Sequence, residues 1–590
     1  MIELTGKIRE TNQYELPLKK TGSSEEYDIY PTHQIAKNSI FEGYDSLAKA
    51  LAPLKTIKID GYIGIRFEDV RENLSAAFEK IGIEPVWINV AKALKKEDEI
   101  NEMLVPFLGA DDPVFGKLCE LELKDFFEQQ KLKKLSETAS NSTSLVIFYG
   151  IGSALVPAEG KNVFFEISKN EIQFRSRAGS ISNLGSTQPT NPQEMYKRFY
   201  FVDWTVLNRH KKKICDRIHF LVDGQRSNSI TWMTGDTWLK SISSVVREPI
   251  RVRPWFSPGA WGGSWIENKI EGLPEEVNYA WSFELIVPEN GVIIESSGFM
   301  LEFSFDFLMF AGGEEILGRD FEEYRYEFPI RFDFLDTFEG GNLSIQCHPQ
   351  KSYMKKHFGE NITQEETYYI LDRKEDAQVY LGFQEGVTAP EFRKALEKSV
   401  EESKELEITR YVQVFDSQKH GLYLIPPGTV HSSGKNNLVL EISSTPYIYT
   451  FKMYDWLRPD LNGKPRPLNI ERGMDNLVFD RAGAKVEQEL ISKPVQLESN
   501  EHWTLEHLPT HKTHLYDVHR FTIKSSVKVK SFGKVHVLSL VEGDTVEVVT
   551  DHGSTVYSYA ETFVIPAAVE TYTLRNPGGK PIKVVKAFIK

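Results

Sequence analysis

The rhythm of apolar and polar positions changes once along the chain, near residue 249. Residues 1–53 are polar and irregular, rich in Ser, Glu, Tyr and Lys, and read as an extension. From Leu54 the stretch LKTIKIDGYIGIRFEDVRENLSAAFEKIGIEPVWINV reads as strand, glycine turn, amphipathic helix, strand. Residues 56–59 form a buried-type strand, and residues 69–81 place Val70, Leu74, Ala77 and Phe78 on one helical face. SLVIFYGIGSAL (144–155) adds an inner strand, and KLKKLSETASNST (131–143) reads as a hydroxyl-rich surface loop. Together these predict an α/β domain over 54–248. From about Pro249 the pattern becomes a series of short strand-like runs bounded by Gly, Pro and Asn: WSFELIVP, GFMLEFSFDFLMF, LSIQCHP, TYYILD, AQVYLGF, GLYLIPP and LVLEIS. Many short strands with turn signals predict an antiparallel barrel or jelly roll over 249–489. One helical insertion interrupts it at 389–407, with Phe392, Leu396 and Val400 at a spacing of four. From about Leu490 the alternation HVLSLVEGDTVEVV predicts a second barrel over 490–590.

Composition narrows the function classes. A chain of 590 residues exceeds what one hydrophobic core supports. Its 41% apolar and 26% charged residues are ordinary for a soluble globular protein. Seventy basic residues against 84 acidic ones leave a net charge of −14, which argues against non-specific nucleic-acid binding. The three cysteines, Cys119, Cys215 and Cys347, make neither a disulfide framework nor a CxxC knuckle and suit a reducing compartment. The N-terminus lacks the apolar core of a signal peptide, and no uncharged apolar run is long enough to span a bilayer. The expectation is a cytoplasmic multidomain protein with neither nucleic acid nor membrane as partner.

The candidate chemistry gathers in the second half. Ser344, Gln346 and His348, spaced by two, share one face of a strand. Glu366 opens the next strand run, and His431 follows a Pro-Pro-Gly turn in LYLIPPGTVHSS. Gln, His, Glu and His delivered by neighbouring strands make a mixed nitrogen and oxygen site for a divalent cation. His511, His514, His519 and His536 in the tail have no carboxylate at a matching spacing, so no metal is expected there.

Several blocks then occur in a telling order: AWGGSWI (260–266), FDFLDTFEGGNLSIQCHP (332–349), EETYYILD (365–372), YLIPPGTVHSSG (423–434), LVLEISS (438–444) and YDWLRPDLNGKPRPLNIERGMD (454–475). A tail with LSLVEGD and FVIPAAVETYTL follows them. In this, roughly residues 250–590 resemble the class I mannose-6-phosphate isomerases, especially the compact bacterial form. The resemblance implies a two-cupin fold holding one zinc ion on Gln346, His348, Glu366 and His431. It also implies interconversion of mannose 6-phosphate and fructose 6-phosphate through a cis-enediol, with a small-molecule hexose phosphate as partner. Such chemistry needs a general base at the carbon-bound proton, positive charge for the enediolate and a metal to order the substrate. The catalytic candidates the resemblance leaves are Glu441, which matches the family glutamate, and Lys452, which stands for its arginine, with Ser344 and Lys351 as substrate contacts. Asp455 and Arg458 also match and read equally well as structural. Two positions depart from the family. Gln364 stands where compact enzymes carry Lys, and Gln has neither charge nor acid–base capacity. Lys452, in TFKMYDW, replaces an Arg and loses its planar fork. A non-catalytic sugar-phosphate-binding regulator with an inactive barrel, or an isomerase for another aldose phosphate, are therefore the alternative readings.

The βαβ opening of 54–248, with SLVIFYGIGSAL and the basic segment FYFVDWTVLNRHKK (199–212), resembles a P-loop nucleoside kinase. A working loop needs G-x-x-x-x-G-K-S/T, with backbone N–H groups and Lys around the phosphates and a hydroxyl on magnesium. Gly61 and Gly64 are present, but Arg66, Phe67 and Glu68 stand where Gly, Lys and the hydroxyl residue belong. The resemblance is to a degenerate module serving packing or regulation.

Overall fold

The computed structural model describes residues 7–20, 22, 26–109, 112–140, 142–226, 228–287 and 289–590. The chain divides into two compact units, and no single cut separates them. The first comprises Met1–Gly22, Tyr30–Val245 and Pro288–Gly313; the second comprises Ser23–Ile29, Val246–Val287 and Glu314–Lys590.

The first unit is built on a parallel sheet of β1 (Thr56–Gly61), β2 (Val86–Asn89), β3 (Val146–Tyr149), β4 (Lys161–Glu166) and β5 (Ile218–Asp223), in the order β2-β3-β1-β4-β5. Antiparallel β6 (Thr231–Thr234) and the short strand Phe41–Glu42 extend one edge. Every residue of β3 (VIFY) is buried, as expected of a parallel strand covered on both faces. The helix Phe67–Glu79 buries Val70, Leu74, Ala77 and Phe78, the face the periodicity predicts, and its first-turn Glu68 and Asp69 suit the positive end of the helix dipole. Between β1 and this helix the chain folds inward: Tyr62, Ile63 and Ile65 are all buried. Gly64, at φ +99°, sits so close to Ile172 that an added Cβ would lie 2.9 Å from its side chain.

Two stretches differ from the sequence expectation. Residues 131–143 are helical up to Ser140, in a helix from Gln129, with residue 141 outside the described set. Lys, Gln, Glu and Leu are good helix formers, and this outweighs the polar composition that suggests a loop. GFMLEFSFDFLMF is a strand only over Phe299–Ser304; from Phe305 it is a helix to Leu317. A continuous apolar run carries no period, so its helical half could not be told from strand. The Phe299–Ser304 strand pairs with Gly291–Ser296, and that strand pairs with Thr32–Gln34.

The second unit contains two pairs of antiparallel sheets. In the first pair, the six-stranded sheet uses β7 (Trp255–Ser257), β8 (Trp281–Leu285), β9 (Arg331–Asp336), β11 (Glu365–Arg373), β14 (Leu422–Ile425) and β16 (Asn437–Ser444), in the order β14-β11-β16-β9-β8-β7. The five-stranded sheet uses β10 (Ile345–Cys347), β12 (Gln378–Phe383), β13 (Val412–Asp416), β15 (His431–Ser433) and β17 (Phe451–Tyr454), in the order β13-β12-β15-β10-β17. The helical insertion runs Ala389–Glu402 with Pro390 in its first turn, buries Phe392 and Leu396, and stops at Ser403 in the left-handed conformation. That terminus is why the helix ends short of the expected residue 407.

The second pair combines β18 (Val495–Ser499), β19 (Trp503–Leu508), β20 (Tyr516–Ile523), β22 (His536–Glu542), β25 (Thr562–Ile565) and β27 (Ile582–Ile589), in the order β18-β19-β20-β27-β22-β25. Facing it are β21 (Ser526–Lys530), β23 (Thr545–Thr550), β24 (Gly553–Ser558) and β26 (Thr571–Arg575), in the order β21-β26-β23-β24. Phe521, Leu538, Val546, Phe563, Leu574 and Val584 share the core between them. Among the described residues, no helix is long and apolar enough to cross a membrane.

Candidate metal centre

His348, Glu366 and His431 converge inside the first sheet pair, with one possible ligand atom from each lying within 4.8 Å of the others. All three are buried. Glu366 is on β11 of the six-stranded sheet, whereas His431 opens β15 and His348 follows β10 in the five-stranded sheet. Gln346 on β10 lies directly across from His431 on β15, so their side chains share a face.

The Pro-Pro-Gly turn is held by specific contacts. The Arg481 Nη1 donates to the carbonyls of Pro426 (3.0 Å) and Pro427 (2.6 Å) and to Thr429 Oγ1 (2.7 Å). Gly428, at φ +81°, donates its N–H to the His348 carbonyl at 2.8 Å, and a Cβ there would lie 2.4 Å from the Asn476 carbonyl. The turn thus fixes one histidine against the other.

Each imidazole is oriented through its far nitrogen. His348 Nδ1 lies 2.9 Å from the Tyr449 carbonyl, and His431 Nδ1 lies 2.9 Å from the Thr429 carbonyl. A carbonyl only accepts, so Nδ1 carries the proton on both rings and the Nε2 lone pairs face inward. Those Nε2 atoms lie 2.8 Å and 3.0 Å from Glu366 Oε2. Two lone pairs against a carboxylate oxygen at such distances require positive charge between them, from protons or a metal ion. Burial works to raise Glu366, yet the two imidazoles hold its carboxyl well below the usual range. Burial lowers His431, with Glu366 opposing it.

Gln346 turns its amide nitrogen to His431 Nε2 at 3.3 Å, while its oxygen accepts the Ser344 hydroxyl at 2.8 Å. Rotating that amide end for end aims Oε1 at the cluster and lets Ser344 accept instead. Ser344, expected to touch substrate, holds Gln346 through this bond. Lys351 is exposed at the first position of the helix Lys351–His357. Lys452 on β17 sits across from Gln346, which puts it on the ligand-bearing face. Burial, with Arg466 adding to it, lowers its ammonium to about 8. Arg458 and Arg466 both pair with Asp455, at 2.7 Å and 2.6 Å, so the cationic group beside Lys452 is larger than the sequence blocks indicate.

Glu441 on β16 is paired in register with Asp333 on β9 and Tyr368 on β11. Burial, then Asp333 and Glu366, raise Glu441 far above the usual carboxylate range, and it is within hydrogen-bonding reach of Glu366. Burial pushes Asp333 up to about 7 against the pull of Arg331. Arg331, Asp333 and Tyr368 were not singled out by sequence reasoning. The alternation of RFDF and ETYY placed them on the inward face, but only strand register reveals which carboxylate they surround. Gln364 is buried and its Oε1 has no hydrogen-bond partner.

Residues 43–247 match a family described as a domain of unknown function, DUF8485. Among curated proteins, the chain is 25% identical over 240 residues to mannose-6-phosphate isomerase ManA of Bacillus subtilis, covering 39% of this chain and 68% of the relative. It is 24% identical over 235 residues to a mannose-6-phosphate isomerase of Streptococcus mutans, covering 40% and 69%. Among solved structures it is similar to the mannose 6-phosphate isomerase of Bacillus subtilis, with a TM-score of 0.48 and 18% identity, over 57% of this chain and 99% of that one.

Proposed function

We propose that this chain is a metal-dependent aldose–ketose isomerase that interconverts mannose 6-phosphate and fructose 6-phosphate through a cis-enediol. The observation that carries the reading is the paired orientation of His348 and His431, whose inward lone pairs meet Glu366 in a buried cluster. Curated relatives named for this reaction support it. His348, His431, Glu366 and Gln346 would hold zinc: imidazole nitrogen and carboxylate or amide oxygen suit that ion, and a substrate oxygen would enter by expansion to five-coordination. When bound, zinc orders the sugar oxygens and lowers the pKa of groups around it.

The remaining roles fall to the chain's own residues. Glu441, whose carboxyl is raised by burial, Asp333 and Glu366 well above the usual range, would exchange a proton with the sugar carbons. Lys452 supplies positive charge as the enediolate forms, and Arg331 adds to it from the opposite sheet. Arg458 and Arg466 widen the basic surface available to the phosphate group. The free, buried Cys119, Cys215 and Cys347 support a reducing, cytoplasmic setting. A coupled assay of the purified protein, following fructose 6-phosphate formed from mannose 6-phosphate, tests the reading. Other aldose phosphates run in parallel define the substrate.

The alternative, a sugar-phosphate sensor, draws on Gln364, a buried amide whose Oε1 has no hydrogen-bond partner, at a position where the resembling enzymes carry a cation. Thermal stabilisation by hexose phosphate with no turnover in the same assay would decide for it.

For the first unit we infer a degenerate nucleoside-kinase-like module. Central placement of β1 in a parallel sheet supports the likeness. The loss of chemistry is supported by Arg66, Phe67 and Glu68, which stand where the Gly, Lys and hydroxyl residue of a phosphate loop belong. Calorimetric titration with ATP and magnesium is expected to give no binding heat.

A further inference from the structure

The C-terminal sheet pair carries a polar row that the isomerase reading does not use. His507 on β19, His519 on β20 and Lys586 on β27 are direct register partners on adjacent strands, so their side chains stand side by side on one face. The next row on that face contains Asp517, Phe588 and His536. Leu538 is the register partner of Lys586 on β22, so the row is apolar on that side, and the next row inward, Phe521, Val584 and Leu540, lies in the core.

Two donors in this row lack partners. Lys586 is 7% exposed; among the described residues no hydrogen bond or ion pair reaches its Nζ, whose remaining contact is with solvent. Only aromatic faces approach it, those of Phe588 at 4.8 Å and Phe521 at 5.6 Å. The Nδ1 of His519 is buried without a hydrogen-bond partner. The one carboxylate nearby, Asp517, is taken by His507 at 2.9 Å. His536 is likewise engaged, through Tyr572 at 2.9 Å. Elsewhere the same chain compensates its buried ammonium groups. Lys211 meets Glu166 and Asp306, Lys169 meets Asp306, and Lys534 donates to the Ile589 carbonyl. A buried ammonium left without an anion is costly, and a ring face offsets only part of that cost. Burial accordingly lowers Lys586 to about 8. Burial, then Lys586 and His507, lower His519 to about 4.

We propose that the His507–His519–Lys586 row binds a phosphate group, either free inorganic phosphate or the phosphate of a small ester. Lys586 supplies the charge, and His519 turns its free nitrogen to a second oxygen. His507, whose side chain is 29% exposed, lies on the solvent-reached side. The site is separate from the metal centre in sequence and in sheet.

The test uses the full-length, metal-loaded protein. Inorganic phosphate, and mannose 6-phosphate in a parallel arm, are titrated by calorimetry into wild type and into Lys586→Met and His519→Asn variants. Lys586→Met replaces an unpaired buried ammonium with a side chain of similar shape. If that variant fails to fold, His519→Asn, at a partly exposed position, reads the same site. The expected result is saturable binding in wild type that weakens at least about tenfold in either variant, while metal content and turnover stay unchanged. Loss in the inorganic phosphate arm assigns the site to free phosphate, and loss in the ester arm alone assigns it to a phosphate ester. Binding equal in all three proteins, or no saturable binding of either ligand by wild type, overturns the proposal.

Discussion

Two buried clusters of charge in this molecule look alike by composition and behave oppositely. In the first unit, Lys169 and Lys211 meet Glu166 and Asp306, with Lys211 at 3.0 Å and 3.2 Å from the two carboxylates. Ser304 and Asn208 complete the set, donating to those carboxylates. Two ammonium groups balance two carboxylates in charge, so the cluster is an internal staple, with Glu166 Oε2 its one oxygen buried without a hydrogen-bond partner among the described residues. In the second unit, Glu366, Glu441 and Asp333 face a single guanidinium, Arg331, and the imidazole lone pairs converge on the same point. That set does not cancel. It raises the Glu441 carboxyl and turns two imidazole lone pairs onto Glu366, which requires positive charge there, from protons or a metal ion.

The largest expected effect breaks the second cluster. His348→Ala should lower metal affinity by at least about 100-fold and remove turnover with it, as metal analysis after dialysis and the coupled assay would show. The first unit's staple should survive, so its part of the thermal unfolding profile should not move. Glu441→Gln keeps the size of the side chain but not its acid–base function. It should lower kcat by about 10²–10⁴-fold with metal content retained, and loss of metal instead would mark Glu441 as structural.

Breaking the first cluster should leave the metal in place. Asp306→Asn strands Lys169 and Lys211 with one carboxylate and should cost about 3–5 kcal/mol, measured by denaturant unfolding. Asp306 is held well below the usual carboxylate range by Lys169 and Lys211, against the upward push of burial. Its contribution is therefore fully present above the unfolded value of about 4 and is lost as pH falls below it. Wild type should weaken on acidification through that window, and Asp306→Asn should weaken less steeply.

The smallest effect concerns Lys452, lowered to about 8 chiefly by burial. The charged form prevails below that value, so kcat/KM should fall as pH rises through about 8. Lys452→Arg keeps the charge and should flatten that limb. A limb unchanged in the variant would assign it to another group.

The convergence of His348, Glu366 and His431 was legible because each candidate ligand, Gln346 included, sits in a short local pattern: Gln346 and His348 at strand spacing, Glu366 at a strand start, His431 after Pro-Pro-Gly. The helix Phe67–Glu79 was legible from its apolar face. What stayed hidden depends on long-range register or on runs without period. Arg331 and Asp333 become neighbours of Glu366 and Glu441 only when β9, β16 and β11 pair. Asp306 lies inside an apolar run that reads as strand, yet it is in a helix and partners lysines from residues 169 and 211. Nothing local announces that 288–313 belongs with the first unit.

The most direct measurement strips the purified protein with a chelator and follows conversion of mannose 6-phosphate to fructose 6-phosphate as zinc is returned. The account predicts no turnover in the stripped protein and full recovery at one equivalent of zinc per chain. Turnover that persists without metal, or none at full zinc loading, would contradict it.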